Sequence, residues 1–374
     1  MKKLSTGILL YVIIISGVFA SPGQAAQIAR GLDDASLAAQ VLLTGIDAKI
    51  SLAPAMRSLL ERIPVGGIML FRRNLDMPRE NVKKLLSETT ALVADKTGIP
   101  PFVAVDHEGG LVQRFGPGIE KLPSAFSFWE LVQKEGRDAA LARAGTLYGR
   151  SAKELREMGI TMVLGPVAEI RNKENGVFLE TRSFGPDPDF VTAAASAYIK
   201  GMDAAGVACA VKHFPGNTAA DQHSGSSVLK ADKAALDEMV IPFTELIHDL
   251  SPPAMLISHV KVPALDNTPA SLSRPVIEGW LRGELGFEGI ALADDFSMAA
   301  VADTGLSPAA ASVEALNAGI DMIMTWPRNL SGVHAAILDA LKSGRLSRDR
   351  LMEAAARIIA EKIRYNLVVP KEIP

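Results

Sequence analysis

Eight short apolar runs recur along the chain, at residues 41–45, 67–71, 102–105, 160–167, 207–211, 255–258, 289–293 and 321–325. Many contain β-branched residues, and longer stretches rich in Ala, Leu, Lys and Glu separate them. Runs this short and this apolar suit strands covered on both faces, the condition of a parallel sheet wrapped by helices. A glycine stands at the joint ahead of five of them (Gly98, Gly159, Gly206, Gly289 and Gly319), where a helix can end in a left-handed turn. Residues 139–158 and 191–205 read as amphipathic helices, with Asp187 or Asp189 capping the second. Residues 234–250 read as a helix that Pro242 kinks. Eight strands alternating with helices predict the α/β class and a single (β/α)8 TIM-like barrel spanning residues 27–374. A doubly wound sheet is the alternative, but no Gly-x-Gly-x-x-Gly follows the first strand.

Ahead of this pattern, Lys2 and Lys3 precede an apolar stretch at residues 8–20, and small residues follow. The stretch is shorter than the ~20 residues of a membrane span and matches a signal-peptide core. Residues 1–26 are therefore expected to be a leader cut after Ala20 or near Ala25 and Ala26, sending the protein to the periplasm or the medium. An uncleaved leader is the alternative, and the only expected membrane contact. The formal net charge of −3, with no run rich in Lys and Arg, argues against a nucleic-acid partner. The lone cysteine, Cys209, cannot form an intrachain disulfide and reads as a small core residue. The chain is expected to act as a monomer.

In a barrel of this kind the active site lies at the C-terminal ends of the strands. The third run ends in Asp106-His107-Glu108-Gly109-Gly110, with Arg114 shortly after; the fourth ends near Glu169, and its loop holds Arg182. The fifth ends in Lys212-His213, and its loop carries Asp221 and His223 as Asp-x-His. The sixth ends in His259 and the seventh in Asp294-Asp295. Four of the six histidines fall at these places. Two glycines beside three ionisable residues suit close approach to a ligand, whereas Asp294-Asp295 also suits a helix start. His259 also fits a satisfied barrel histidine, and Arg114 and Arg182 also fit surface ion pairs. No His-x-His follows the first run and no His-x-x-x-His stands on a helix, so neither a metal nor an organic cofactor is expected.

Taken together, Lys212-His213-Phe214-Pro215-Gly216 with Asp221-x-His223, Asp106-x-Glu108-Gly109-Gly110 with Arg114, Arg182-Ser183-Phe184-Gly185, Pro269 to Ser273 and Asp294 to Met298 resemble glycoside hydrolase family 3, in its bacterial β-N-acetylhexosaminidase branch. The resemblance runs from about residue 41 to about residue 360. It implies that Asp294 is the nucleophile, that His223 is a general acid/base oriented by Asp221, and that Asp106, Arg114, Arg182, Lys212 and His213 bind the sugar. The chain departs from the family at His107, usually Gln; at Glu169, often Asp; at Asn217-Thr218, usually His-Gly; and at Phe296, usually Leu. The loop leading to Asp221 is about two residues shorter than the family's. These departures bear on the shape of that loop and on the leaving group it accepts.

The resemblance implies a retaining exo-β-N-acetylglucosaminidase acting on a small saccharide or muropeptide, derived from peptidoglycan or chitin. A β-glucosidase, a β-xylosidase or a β-glycoside phosphorylase on the same scaffold is one alternative. A non-catalytic saccharide-binding envelope protein is another.

Overall fold

A computed structural model describes residues 22–116 and 119–369. Among the described residues, eight parallel strands close into a barrel: β1 (Leu42–Gly45), β2 (Gly67–Leu70), β3 (Phe102–Gly109), β4 (Met162–Val167), β5 (Ala208–Phe214), β6 (Ala254–Ile257), β7 (Ile290–Ala293) and β8 (Met322–Thr325). Neighbours in sequence are neighbours in the sheet, and the β1–β8 pairing, with Leu42 opposite Ile323, closes the ring. The expected (β/α)8 TIM barrel is the observed fold, and every one of the eight apolar runs contributes a strand. Helices surround the sheet, so the strands are buried almost throughout, as their apolar composition requires.

Two strands run further than their apolar stretches. β3 continues through Asp106, His107 and Glu108, and β5 continues through Lys212 and His213 to Phe214. Their polar residues therefore sit on sheet backbone, a stiffer platform than a loop. The eighth run starts one residue late. Asp321 lies just ahead of β8, fully buried, and accepts from Arg282 at 2.6 Å, Arg350 at 2.9 Å and Arg357 at 3.1 Å.

The joints behave as their residues dictate, with two exceptions. Gly98, Gly159, Gly206 and Gly319 all take positive φ. Gly289 does not: a Cβ there would meet the Pro252 and Pro253 carbonyl oxygens at 2.7 and 2.8 Å, so close approach is what demands glycine. The expected helix over 234–250 is two helices, Lys233–Met239 and Ile241–Leu250, because Pro242 opens the second instead of kinking one. Asp187 is the cap of the helix Pro188–Asp203, accepting from the Phe190 N–H at 2.7 Å. That helix packs on Arg137–Glu157 closely enough that a Cβ on Gly201 would lie 2.9 Å from the Gly149 nitrogen.

The first described helix, Pro22–Gly31, buries Ala25 and Ala29 in the core. The expected boundary at residue 26 thus falls inside a packed helix. A cut after Ala20 would leave that helix whole, whereas one near Ala25 would sever it. The apolar core of the expected leader lies outside the described residues. No helix among those described is long and apolar enough to cross a membrane. Lys362 is fully buried beneath the barrel, donating to Gln40 Oε1 at 2.9 Å with its ammonium 5.7 Å from the centre of the Phe102 ring.

Candidate active site

A cavity of about 270 Å3 opens at the C-terminal ends of the strands. Its floor is a set of ion pairs carried by β3 and β5. Lys212 Nζ donates to Asp106 Oδ1 at 2.8 Å and to Glu108 Oε1 at 2.6 Å. Arg114, which follows the short antiparallel strand Val112–Gln113, reaches Asp106 Oδ2 at 3.0 Å. Arg182 clasps Glu108 with two bonds of 2.8 Å. The turn that brings Arg114 back over β3 needs its two glycines. Gly109 and Gly110 have φ of +91° and +53°, and a Cβ on either would press into the segment Leu122–Ser124.

Burial works against charge in this set, but pairing outweighs it. Lys212 and then Arg114 hold the Asp106 carboxyl well below its ordinary range, despite burial. Burial likewise opposes ionisation of Glu108, yet Lys212 and Arg182 lower it to about 2. Against the same desolvation, Asp106 and Glu108 raise the Lys212 ammonium above its ordinary value. All three stay charged at neutral pH. They offer charge-assisted hydrogen bonds, the stronger class, to any polar ligand that reaches them.

His213 extends the set. Its Nε2 lies 3.4 Å from Arg182 Nη2, and its Nδ1 lies 2.6 Å from Glu169 Oε1. Glu169 also accepts from the Asn217 backbone N–H at 2.7 Å and from Asn217 Nδ2 at 2.8 Å.

The adjacent aspartates after β7 differ in what they have free. Asp295 is fully engaged: Ser297 donates to it from N at 2.8 Å and from Oγ at 2.7 Å, and the Trp326 indole N–H also donates to it. Among the described residues only the Asp295 N–H, at 2.8 Å, donates to the Asp294 carboxylate. Asp294 therefore keeps acceptor capacity toward the cavity. Neither is a helix cap of the kind their position allowed; the next helix, Ala299–Ala302, follows Met298.

The loop after β5 also lines the cavity, through Asn217, Gln222 and His223. His223 lines the same cavity as Asp294, with its side chain 70% exposed. Asp221 Oδ1 accepts from His223 N at 2.9 Å and pairs with His223 Nδ1 at 2.8 Å, leaving Nε2 as the free ring nitrogen. The His223 backbone N–H, ahead of smaller contributions, lowers the Asp221 carboxyl below its ordinary value.

Of the residues singled out in the sequence, Asp106, Arg114, Arg182, Lys212, His213, His223 and Asp294 line this one cavity. Asp221 stands outside its wall and acts on it only through His223. The other two strand-end histidines are elsewhere. His107 is buried against Ser151 Oγ at 2.7 Å, and burial lowers it to about 4. His259 is buried between Ser271 Oγ at 2.7 Å and the Asp295 carbonyl at 3.1 Å, a satisfied barrel histidine.

Several residues at the site carried no assignment in the sequence. Glu108 and Glu169 stood at strand ends already singled out, yet each needed its partner to show a role. Phe71 and Trp326, at the ends of β2 and β8, stack with centroids 4.9 Å apart and both line the cavity. Reading the second and eighth strand ends as the others were read would have found them. Among the described residues no group of three or more His, Cys, Asp or Glu side chains is arranged to hold a metal ion.

Comparisons with known proteins bear on the family of the whole barrel. The family model described as "Glycosyl hydrolase family 3 N terminal domain" matches residues 38–360. A Beta-hexosaminidase from Methylococcus capsulatus is 36% identical over 74% of this chain and 80% of its own. Beta-hexosaminidase A from Pseudoalteromonas piscicida is 31% identical over 83% of this chain, which spans only 55% of that longer protein. The solved structure of a glycoside hydrolase family 3 β-N-acetylglucosaminidase from Paenibacillus sp. superposes with a TM-score of 0.82 at 30% identity, covering 90% of this chain and 63% of that one. With the family match spanning most of the barrel and these relatives alongside it, the chain belongs to glycoside hydrolase family 3.

Proposed function

We propose that the protein is a retaining, exo-acting β-N-acetylglucosaminidase that removes terminal N-acetylglucosamine from small peptidoglycan- or chitin-derived fragments outside the cytoplasm. The observation that carries this reading is that a carboxylate with free acceptor capacity and an imidazole with a free nitrogen share one cavity floored by fixed charges. The names borne by the relatives support the sugar, and the apolar leader in the sequence supports the address.

Cleavage of a glycosidic bond passes through an oxocarbenium-like state that needs a nucleophile on one face and an acid at the leaving oxygen. In our reading an Asp294 oxygen bonds to the anomeric carbon as the bond to the leaving group breaks. The His223 imidazolium gives its proton to the departing oxygen. In the second half, neutral His223 takes a proton from water, the water oxygen bonds to the anomeric carbon, and the ester to Asp294 breaks. Asp221 orients the imidazole through its bond to Nδ1. General acid/base help of this kind is worth ~10²–10⁴ in rate. Asp106, Arg114, Arg182, Lys212 and His213 hold the sugar hydroxyls. A cavity of about 270 Å3 suits one sugar ring, in keeping with removal of a terminal residue.

A panel of aryl N-acetylglucosaminide, glucoside and xyloside, each with and without phosphate, tests the proposal. Preferred turnover of the N-acetylglucosaminide, unaffected by phosphate, is the expected result. Preference for another sugar or acceleration by phosphate would move the activity to the alternatives on this scaffold. Sugar binding with no turnover of any glycoside would make the protein a binder. A 2-fluoro glycoside should label Asp294, and a label on another residue would end that assignment.

A further inference from the structure

The loop between β5 and β6 is exposed at its tip except for one residue. Asp221 and His223 face solvent, while Gln222 between them is buried with 2% of its surface exposed. Its amide is used at both ends. Nε2 donates to Asn217 Oδ1 at 2.6 Å, and Oε1 accepts from the His259 backbone N–H at 2.6 Å. Asn217, also buried, holds Glu169 through its backbone and its side chain, and Glu169 holds His213 in the sugar cavity. The same loop is bonded to the segment that follows Asp294. The Gln222 carbonyl accepts from the Ala300 N–H at 3.1 Å, and Ser226 donates to Asp303 Oδ2 from both N and Oγ at 2.9 Å. Glu169, Asn217 and Gln222 thus form one continuous chain of hydrogen bonds running from His213 to the residue beside His223.

We propose that Gln222 and Asn217 are positioning residues that pin the loop so that His223 is held over the cavity opposite Asp294 before any substrate arrives. The physical reason is the cost of an alternative. Swinging the loop away would strip a buried amide of both partners and leave Asn217 Oδ1 and the His259 N–H unpaired inside the protein. The loop has no helix or strand of its own, so an imidazole that is itself mostly in solvent depends on such bonds for its place. The catalytic consequence rests on His223 being the acid; the pinning does not.

Two measurements on wild type, Gln222→Ala, Asn217→Ala and the double variant test the proposal. The first is amide hydrogen exchange. The Ser226 and Ala300 amides, whose own bonds do not involve the Gln222 side chain, should exchange at least about tenfold faster in either single variant, and little faster again in the double. Unchanged exchange there would overturn the pinning, whatever the activity. The second is kcat/KM for leaving groups of different acidity. Loss of a positioned acid should lower kcat/KM by about 10- to 100-fold for a poor leaving group and by less than about threefold for an activated one. An equal loss on both would overturn the positioning role and leave a merely structural one. Should Gln222→Ala fail to fold, Asn217→Ala breaks the same bond from its other end. A wild type that turns over no aryl glycoside would end the enzymatic reading while the exchange comparison still decides the pinning.

Discussion

At the scale of single residues, the site is a contrast between groups that are committed and groups that are free. Asp295 has both oxygens occupied and Asp294 does not, so the two neighbours are not interchangeable. Asp294→Asn should abolish turnover of every glycoside, whereas His223→Ala should lower kcat/KM about 10²- to 10⁴-fold for poor leaving groups and far less for activated ones. Steady-state kinetics on matched substrates checks both. Glu108 is committed in another sense: itself buried, it pairs with the buried Lys212 and the half-buried Arg182. Glu108→Gln leaves the two cations short of an anion and should cost about 3–5 kcal/mol, read by chemical denaturation. The sign of the pH effect follows from the lowered carboxyl. The folded state holds fewer protons than the unfolded one, so the stability from Glu108 is complete above its ordinary value of 4.5 and is lost as the pH falls toward about 2. The Glu108→Gln variant should lose this part of the acid dependence.

At the scale of elements, the barrel strands were legible because each is a short apolar run bounded by turn chemistry, and local composition is enough to mark that. The reach of β3 and β5 was not legible. Asp106, Glu108 and Lys212 look like strand ends because ionisable residues seldom continue a buried strand, and nothing local shows that residues about a hundred positions apart neutralise one another. Gln222 was missed for a similar reason, since one of its partners, His259, is 37 positions away. Asp187 was found because a cap and its helix are adjacent. Pro242 was found as a break, but its effect depended on a second helix starting there. Helix contacts were equally invisible. Gly201 in the helix Pro188–Asp203 lies where a Cβ would press on the Gly149 nitrogen. Gly201→Ala should destabilise the protein in thermal and urea unfolding, because overpacking costs about 1–3 kcal/mol. That exceeds what alanine returns as a helix former, about 1 kcal/mol.

At the scale of the whole molecule, the two ends of the barrel do different work. One carries the cavity, and the other carries buried charge, namely Asp321 among its three arginines and Lys362 beneath the strands. Burial lowers the Lys362 ammonium to about 7, so it binds its proton less readily in the fold than in the unfolded chain. Stability should therefore rise with pH between about 7 and the ordinary lysine value of 10.5. Lys362→Met should flatten that slope and stabilise the protein at neutral pH by about 1–4 kcal/mol, the range seen when buried ionic groups give way to apolar ones. Melting temperatures of both proteins across this interval check the claim.

The internal pairing of the cavity floor has a consequence for how a ligand is greeted. Each of its cations already has an anion within 3.0 Å, so an uncharged saccharide exchanges one set of hydrogen bonds for another and neutralises nothing. Dissolved ions then have little to screen. Affinity for a neutral sugar should change by less than about twofold when ionic strength is raised from 0.01 M to 1 M, a span over which the Debye length falls from about 30 Å to about 3 Å. A steep decline in titration calorimetry would instead reveal an electrostatic lure where the fold has built a closed circuit.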